Sequence, residues 1–319
     1  MPRYEFLAEH ALYAPNASED ENLIDNVVEA KREYRFLYNA TMRTKAQILA
    51  TGLWKQSKNS LIKNGRPKSR KALEIQGYPG LLKSKFSDTT ILEPKFFLPD
   101  PEKILHPLPD ESFLLGIKIK LLTPFYSRDD IVFYPHENPL RREWVFHWPY
   151  LSAAGVKGLL RWAWRMCHED NLLDKEELMF GTRKEEKDED KIQQGCLYTY
   201  PLFWKGSVGL DVINPHSREN YTGKLPIKYE VVKKDAEGVL YLLVFNRKMK
   251  KGFIRDIIEP LLNAIDFLLT DTAISAKRTT GWGSVKILNA KFYLKDKHID
   301  LGSDIQNWVK KILSLNLIS

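Results

Sequence analysis

Cysteine is nearly absent from this 319-residue sequence: Cys167 and Cys196 are its only two. Two thiols are too few to staple a chain of this size, so a disulfide framework is excluded. No run of about twenty apolar residues exists, which argues against a membrane-spanning helix. Met1–Pro15 lacks the apolar centre of a secretory leader, and a cytoplasmic location is expected by default. Catalytic signatures are also missing. There is no H-E-x-x-H, no paired C-x-x-C and no phosphate-loop lysine motif, and the seven histidines are scattered.

What is present fits a globular protein with an anionic partner. Hydrophobic residues make up 43% of the chain and charged residues 28%, enough of each for a packed core and a solvated surface. A net charge of +8 points to an anionic partner, with nucleic acid and a membrane surface the two candidates. Between Tyr34 and Leu73 there are ten lysines and arginines and no acid, densest at Lys63, Arg66, Lys68, Arg70 and Lys71. That stretch reads either as a solvated linker or as an arm that contacts RNA.

Periodicity predicts an opening helix from Asn22 to about Leu53, where Leu23, Ile24, Val27 and Val28 recur at helical spacing. Residues 94–112 are proline-rich and read as an extended connector. A strand is expected at Phe113–Leu122, where Ile117, Ile119 and Leu121 alternate with lysines. A long loop or hairpin at Thr123–Trp148 leads to a helix over about Ala154–His168. Its apolar side holds Val156, Leu159, Leu160, Ala163 and Cys167, so Cys167 is expected to be a buried thiol. Arg183–Lys191 carries nine consecutive charged residues and reads as a solvated loop. Short strands are predicted at Cys196–Leu202, Val208–Ile213, Ile227–Val232 and Val239–Phe245. A second helix follows at Phe253–Leu269, then a strand at Val285–Leu294 and a closing helix at Asp304–Leu313. The fold class is therefore α+β, and the order strand, helix, strands, helix, strand resembles a split βαβ, ferredoxin-like (RRM-like) core. The expected division is a helical, basic N-terminal extension over 1–112 and the core over 113–319.

Two segments have the chemistry of an anion site. In the first, Gly155–Arg165, the residues Lys157, Arg161 and Arg165 are four apart and line one side of the predicted helix. Gly155 and Gly158 allow another backbone to come close, and the positive end of the helix suits a phosphate. An amphipathic helix whose polar face is merely basic is the competing reading. The second is Lys277–Gly283, where Lys277, Arg278, Thr279 and Thr280 precede Gly281, Trp282 and Gly283. Successive amides in such a turn can cradle an anion, and Trp282 could stack on a base; a buried anchor at a tight turn is the alternative. The G-x-G lies after a helix and before a strand, the reverse of a dinucleotide-binding loop. Asn214-Pro215-His216 ends an apolar run as a turn, with Asp211 nearby but no third partner for acid–base work. Asp129 and Asp130 stand side by side in the loop after the first strand, flanked by Arg128.

Taken together, these segments resemble the RAMP superfamily of CRISPR-associated proteins over about Phe113 to Leu294. Pro149-Tyr150-Leu151 and Val156-Lys157-Gly158-Leu159-Leu160-Arg161 stand where the family has a P-Y-I-P-G-S-S-L-K-G-x-L-R motif, with Ala153-Ala154-Gly155 in place of Gly-Ser-Ser. Ala276–Gly283 looks like the family's C-terminal glycine loop. Within the superfamily, LDVINPH followed by Pro226-Ile227 resembles the sixth subunit of the Cmr (type III-B) complex, while Trp162–Arg165 is similar to the first Cmr subunit. The resemblance implies a core that packs on other CRISPR effector subunits and grips guide RNA, or guide paired with target RNA, through the backbone. In related subunits that cut target RNA, a metal-dependent aspartate lies in the loop after the first strand. Asp129 or Asp130 would fill that role here with Mg2+, whereas the sixth-subunit likeness implies no cleavage and no cofactor.

Overall fold

The computed structural model describes residues 98–129, 138–143, 148–168, 172–182, 193–215, 226–295 and 297–315, with the backbone of 62–63 and 66–67. The expected N-terminal helix, most of the basic tract, the charged run at 183–191, Asp130 and His216 lie outside the described residues. Of the described part, residues 128–129, 138–139, 208–215 and 226–230 fall in one compact unit, and the remainder of 98–315 in another.

The larger unit begins with a short helix, α1 (Pro101–Leu105), where a plain extended connector is expected. The correction has a local cause. Asp100 sits in an extended conformation and caps the helix through its carboxylate, and Pro101 supplies a preset φ at the first position. Next come β1 (Phe113–Leu121), β2 (Tyr150–Leu151), α2 (Ala153–Cys167), α3 (Leu173–Phe180), β3 (Leu197–Thr199) and β4 (Leu202–Phe203). The chain continues through β5 (Val208–Ile213), β6 (Ile227–Val232), β7 (Glu237–Val244) and α4 (Phe253–Asp266). It closes with β8 (Val285–Leu294), β9 (Lys297–Asp300) and α5 (Trp308–Leu313).

A five-stranded sheet in the order β9-β8-β1-β7-β3 forms the centre, with every neighbouring pair antiparallel. The elements β1, α2, β3, β7, α4 and β8 follow a β-α-β-β-α-β order, and the return of β8 beside β1 puts the first and last of these strands at the middle. The sequence dictates the pleat. In β7 the burial alternates strictly, with Gly238, Leu240, Leu242 and Val244 inside. In β1 the inner row is Phe113, Leu115, Ile117, Ile119 and Leu121, all fully buried, while Lys118 and Lys120 take the other face. A bulge between Ile287 and Asn289 lets β8 keep Val285, Ile287, Ala290 and Phe292 on the inner side.

α4 buries eight residues, among them Phe253, Ile257, Ile258, Leu261 and Leu262, each large side chain contributing roughly 1.5–3 kcal/mol. The helix runs through Pro260 and then widens into a π turn over Phe267–Asp271. Its amino end is already occupied by an anion of the chain itself. Glu111, held at φ +61°, accepts the Gly252 amide at 2.6 Å and the Ile254 amide at 2.9 Å. α2 packs on α4 with Val156, Leu160, Ala163 and Trp164 inside. Cys167 departs from expectation: it is exposed at the helix end, its Sγ 3.8 Å from the Asn263 carbonyl of α4, and Cys196 is the buried thiol. The inward stripe ends at Trp164, eight residues after Val156 and four after Leu160, and Cys167 in the last turn lies outside the packed zone.

In the smaller unit, β5 belongs to a two-stranded sheet with β6, whose first four residues lie in the same unit. The Asp129 amide donates to the Pro139 carbonyl at 3.2 Å and the Glu230 amide to that of Asn138 at 3.1 Å.

Candidate nucleic-acid interface

The two segments singled out by sequence meet in the larger unit, joined by the chain that leaves β1. Thr123 Oγ1 donates to the Gly281 carbonyl at 2.8 Å and accepts the Ser284 amide at 2.9 Å. Further along, Ser275 Oγ lies 3.0 Å from both the amide and the carbonyl of Tyr126, and the Ala276 amide donates to that same carbonyl at 2.9 Å. One residue on, Ser127 Oγ donates to the Tyr150 carbonyl at 2.9 Å, just before α2. The contact is also direct. The Arg278 guanidinium sits over the Trp162 ring at 4.0 Å, and Trp162 in turn lies 5.7 Å from Phe267.

α2 starts from Ser152, whose Oγ accepts the Gly155 amide at 3.2 Å. A Cβ on Gly155 would come within 3.0 Å of Leu151 and 3.2 Å of Ser152 Oγ, so the glycine keeps this cap compact. Gly158 is different. It is exposed, its φ is ordinary, and an added Cβ meets nothing within 4 Å. Ala154, one turn earlier, is exposed too. The outward side of the first two turns therefore carries almost no side chain, leaving a flat pad beside the positive helix end.

The basic side chains of α2 are engaged within the protein. Lys157 Nζ donates to the Leu197 carbonyl at 2.9 Å; burial, with Arg161 beside it, lowers its pKa below the ordinary lysine value. Arg161 Nε bonds Glu176 Oε1 at 2.7 Å, and its Nη2 bonds the Gly181 carbonyl at 2.9 Å. Arg165 reaches the same carboxylate oxygen through Nε at 2.9 Å and Nη2 at 2.7 Å. Glu176 itself is 1% exposed. Burial pushes its carboxyl up, but the hydrogen bonds and charges of Arg165 and Arg161 outweigh that and hold it below the usual glutamate range. These three cations tie α2 to β3 and α3. Glu176 was not a candidate from sequence, because it is 15 and 11 residues from its partners in a charge-mixed stretch.

The glycine loop carries its groups differently. Arg278–Thr280 form a single 3₁₀ turn that ends on Gly281 at φ +82°. Thr279, Thr280 and Gly281 are exposed, and Lys277 and Arg278 are half-buried. Arg278 Nη1 is buried without a hydrogen-bond partner, although the guanidinium is seated on Trp162. Trp282 is 8% exposed and serves as the anchor of the turn rather than as an open stacking platform. Gly283, at φ +86°, lies so close to Ser275 that a Cβ would fall 2.5 Å from its amide nitrogen. Both glycines are required by the turn itself. Asp129 is half-buried in the other unit, and no cluster of three or more metal-binding side chains occurs among the described residues.

Comparison with known proteins adds the family. The RAMP superfamily model matches residues 118–286. Among solved structures, a chain of the type III-B Cmr-beta complex bound to cognate target RNA has a TM-score of 0.50 at 13% identity. That match covers 89% of this chain and 100% of the other. A chain of the Csm3-Csm4 subcomplex from the type III-A CRISPR-Cas interference complex has a TM-score of 0.42 at 14% identity, covering 65% and 97%. No curated protein matches. Among the described residues, no helix is long and apolar enough to cross a membrane.

Proposed function

Since this chain belongs to the RAMP superfamily of CRISPR-associated proteins, we propose that it is an RNA-binding subunit of a type III CRISPR effector complex. Its core is read as ferredoxin-like, packing on sibling subunits and gripping guide RNA, or the guide–target duplex, by the sugar-phosphate backbone. One observation carries the reading. The exposed start of α2 and the glycine loop are drawn into one surface by Thr123–Ser127 and by Arg278 on Trp162.

In this reading the parts divide their work. Lys277, Arg278, Thr279, Thr280 and the amides around Gly281 meet phosphate oxygens, which need donors and positive charge but no base edge. Ala154 and Gly158 give the strand a smooth approach to the helix end. Lys157, Arg161 and Arg165 keep their internal partners and set the angle of α2: moving Lys157 or Arg161 to a phosphate would strand a carbonyl, and moving Arg165 would weaken the hold on the buried Glu176 carboxylate. Trp282 and Gly283 shape the turn. Such a grip ignores sequence, as a guide of variable spacer requires. The finer assignment, to the position of the sixth Cmr subunit, rests on the LDVINPH and Pro226-Ile227 resemblance.

The experiment is salt-dependent binding of single-stranded RNA to the intact chain and to a Lys277→Ala/Arg278→Ala variant. Removing one phosphate-binding cation from a single-strand complex lowers the salt slope by roughly 0.7, so a drop of about 1.4 is expected. Equal slopes at equal folded fraction would sink the proposal.

A further inference from the structure

The glycine loop borders a second basic surface that the reading above leaves unused. The Leu122 amide donates to the Ser284 carbonyl at 2.9 Å, so the end of β1 and the start of β8 are fastened directly beneath the loop. On the sheet face opposite the buried row, at this same end, Lys120 stands directly across from Lys286. Lys118 follows two residues along β1. The turn between β6 and β7 adds Lys233 and Lys234, and it is pinned to β1 by the Leu121 amide on the Ala236 carbonyl at 2.8 Å and the Asp235 amide on the Leu121 carbonyl at 2.9 Å. All of these lysines are exposed except Lys120, which is half-buried.

Like charges directly opposite each other destabilise a sheet. Two of the lysines have local counter-ions: Lys120 with Asp235 at 2.9 Å and Lys118 with Glu237 at 2.8 Å. That leaves five lysines facing two carboxylates, an excess that an external polyanion would offset. Lysine suits that role, since its mobile ammonium follows a phosphate without demanding fixed geometry. The corner is also continuous with the loop through Leu122, an apolar side chain 53% exposed.

We propose that this corner, centred on Lys234 and Lys286, is a second phosphate track that receives RNA as it leaves the glycine loop. The inference rests on the reading of the loop as an RNA contact. An acidic surface of a neighbouring protein is the rival occupant.

The test measures anisotropy of a labelled uridine homopolymer with the full chain across a salt series. The chains compared are wild type, Lys234→Gln/Lys286→Gln, Lys234→Arg/Lys286→Arg and the loop variant Lys277→Ala/Arg278→Ala, with thermal unfolding checked for each. The glutamine pair is expected to lower the slope by about 1.4, two phosphates at roughly 0.7 each, and the arginine pair to keep it. A slope unchanged by the glutamine pair but lowered by the loop variant overturns the second track and leaves the loop reading standing. A slope lowered only by the glutamine pair overturns the loop reading, and with it the passage of RNA from the loop to this corner. No salt-dependent binding by the wild-type chain overturns both. So does an RNA slope unchanged by either variant, even if the glutamine pair loses affinity for an acidic polypeptide.

Discussion

Replacing Gly158 with alanine should push stability and RNA binding in opposite directions. A glycine inside a helix costs roughly 0.5–1 kcal/mol relative to alanine, because it loses more backbone freedom on folding. At Gly158 the protein draws no internal benefit in return: the residue is exposed, its φ is ordinary, and a Cβ meets nothing within 4 Å. Gly158→Ala should therefore stabilise the isolated chain by about 0.5–1 kcal/mol, raising the unfolding midpoint by a few degrees at most. If the outer side of α2 receives the RNA backbone, the same methyl group stands in its path. Displacing the strand from one donor costs about 1 kcal/mol, or roughly fivefold in Kd. Gly158→Leu should weaken binding further. Calorimetry or fluorescence-monitored unfolding gives the first quantity, and RNA titration at fixed salt gives the second. A variant that is more stable and binds RNA as well as wild type would refute the role given to this face. A variant that is less stable would refute the premise that the slot is empty within the chain.

Three further outcomes follow from the same geometry. Because Arg165 and Arg161 hold the Glu176 carboxyl below its ordinary value of about 4.3, their pairing stabilises the fold above that pH and is lost as pH falls through the folded value. Glu176→Gln should flatten the acid side of the stability profile, and an unaltered profile would count against the pairing. Gly283→Ala must overcome both a φ of +86° and Ser275, and should cost more than about 2 kcal/mol. Gly281→Ala, with the same backbone sign but open space, should cost only about 1–2 kcal/mol, so equal midpoints for the two variants would contradict this account. RNA cleavage that depends on Mg2+ and persists in Asp129→Ala/Asp130→Ala protein would remove those residues as the metal-bound acids.

Much of the architecture is legible in the sequence because it rests on strong periodic signals. β8 at Val285–Leu294 and α2 at Ala153–Cys167 follow directly from alternation and from the 3.6-residue stripe. The strand order does not, since the return of β8 to lie beside β1 depends on contacts far apart in the chain. α3 escapes notice because LDKEELMF is short, acidic and weakly amphipathic, and it stands among charged residues. The π turn after Asp266 is equally silent, as its residues continue the helical pattern of α4. At the candidate interface, the pairing of the glycine loop with α2 is anticipated by family order alone. The seat of Arg278 on Trp162 has no sequence signal, because 116 residues separate two types that occur together in many roles.

Sequence alone treats every basic side chain as equally available, and the fold does not. Arg161 and Arg165 share one carboxylate oxygen, Arg161 also bonds a carbonyl, and Arg278 lies flat on an indole. Each arrangement uses the planar, delocalised guanidinium, which satisfies several acceptors at once and tolerates partial burial. Lys233, Lys234 and Lys286, by contrast, are exposed at a sheet corner beside the ion-paired Lys118. A backbone that changes conformation as guide and target pair is better followed by such mobile charges than by clamped ones. On the proposed reading, the arginines of the α2 motif would fix the helix that presents the smooth pad, and the lysines near the glycine loop would supply most of the salt dependence. This division makes Arg161→Lys informative: it keeps the charge but loses the second acceptor. It should lower stability by about 1 kcal/mol while leaving the salt slope of RNA binding unchanged. A changed slope with unchanged stability would place Arg161 on the RNA instead.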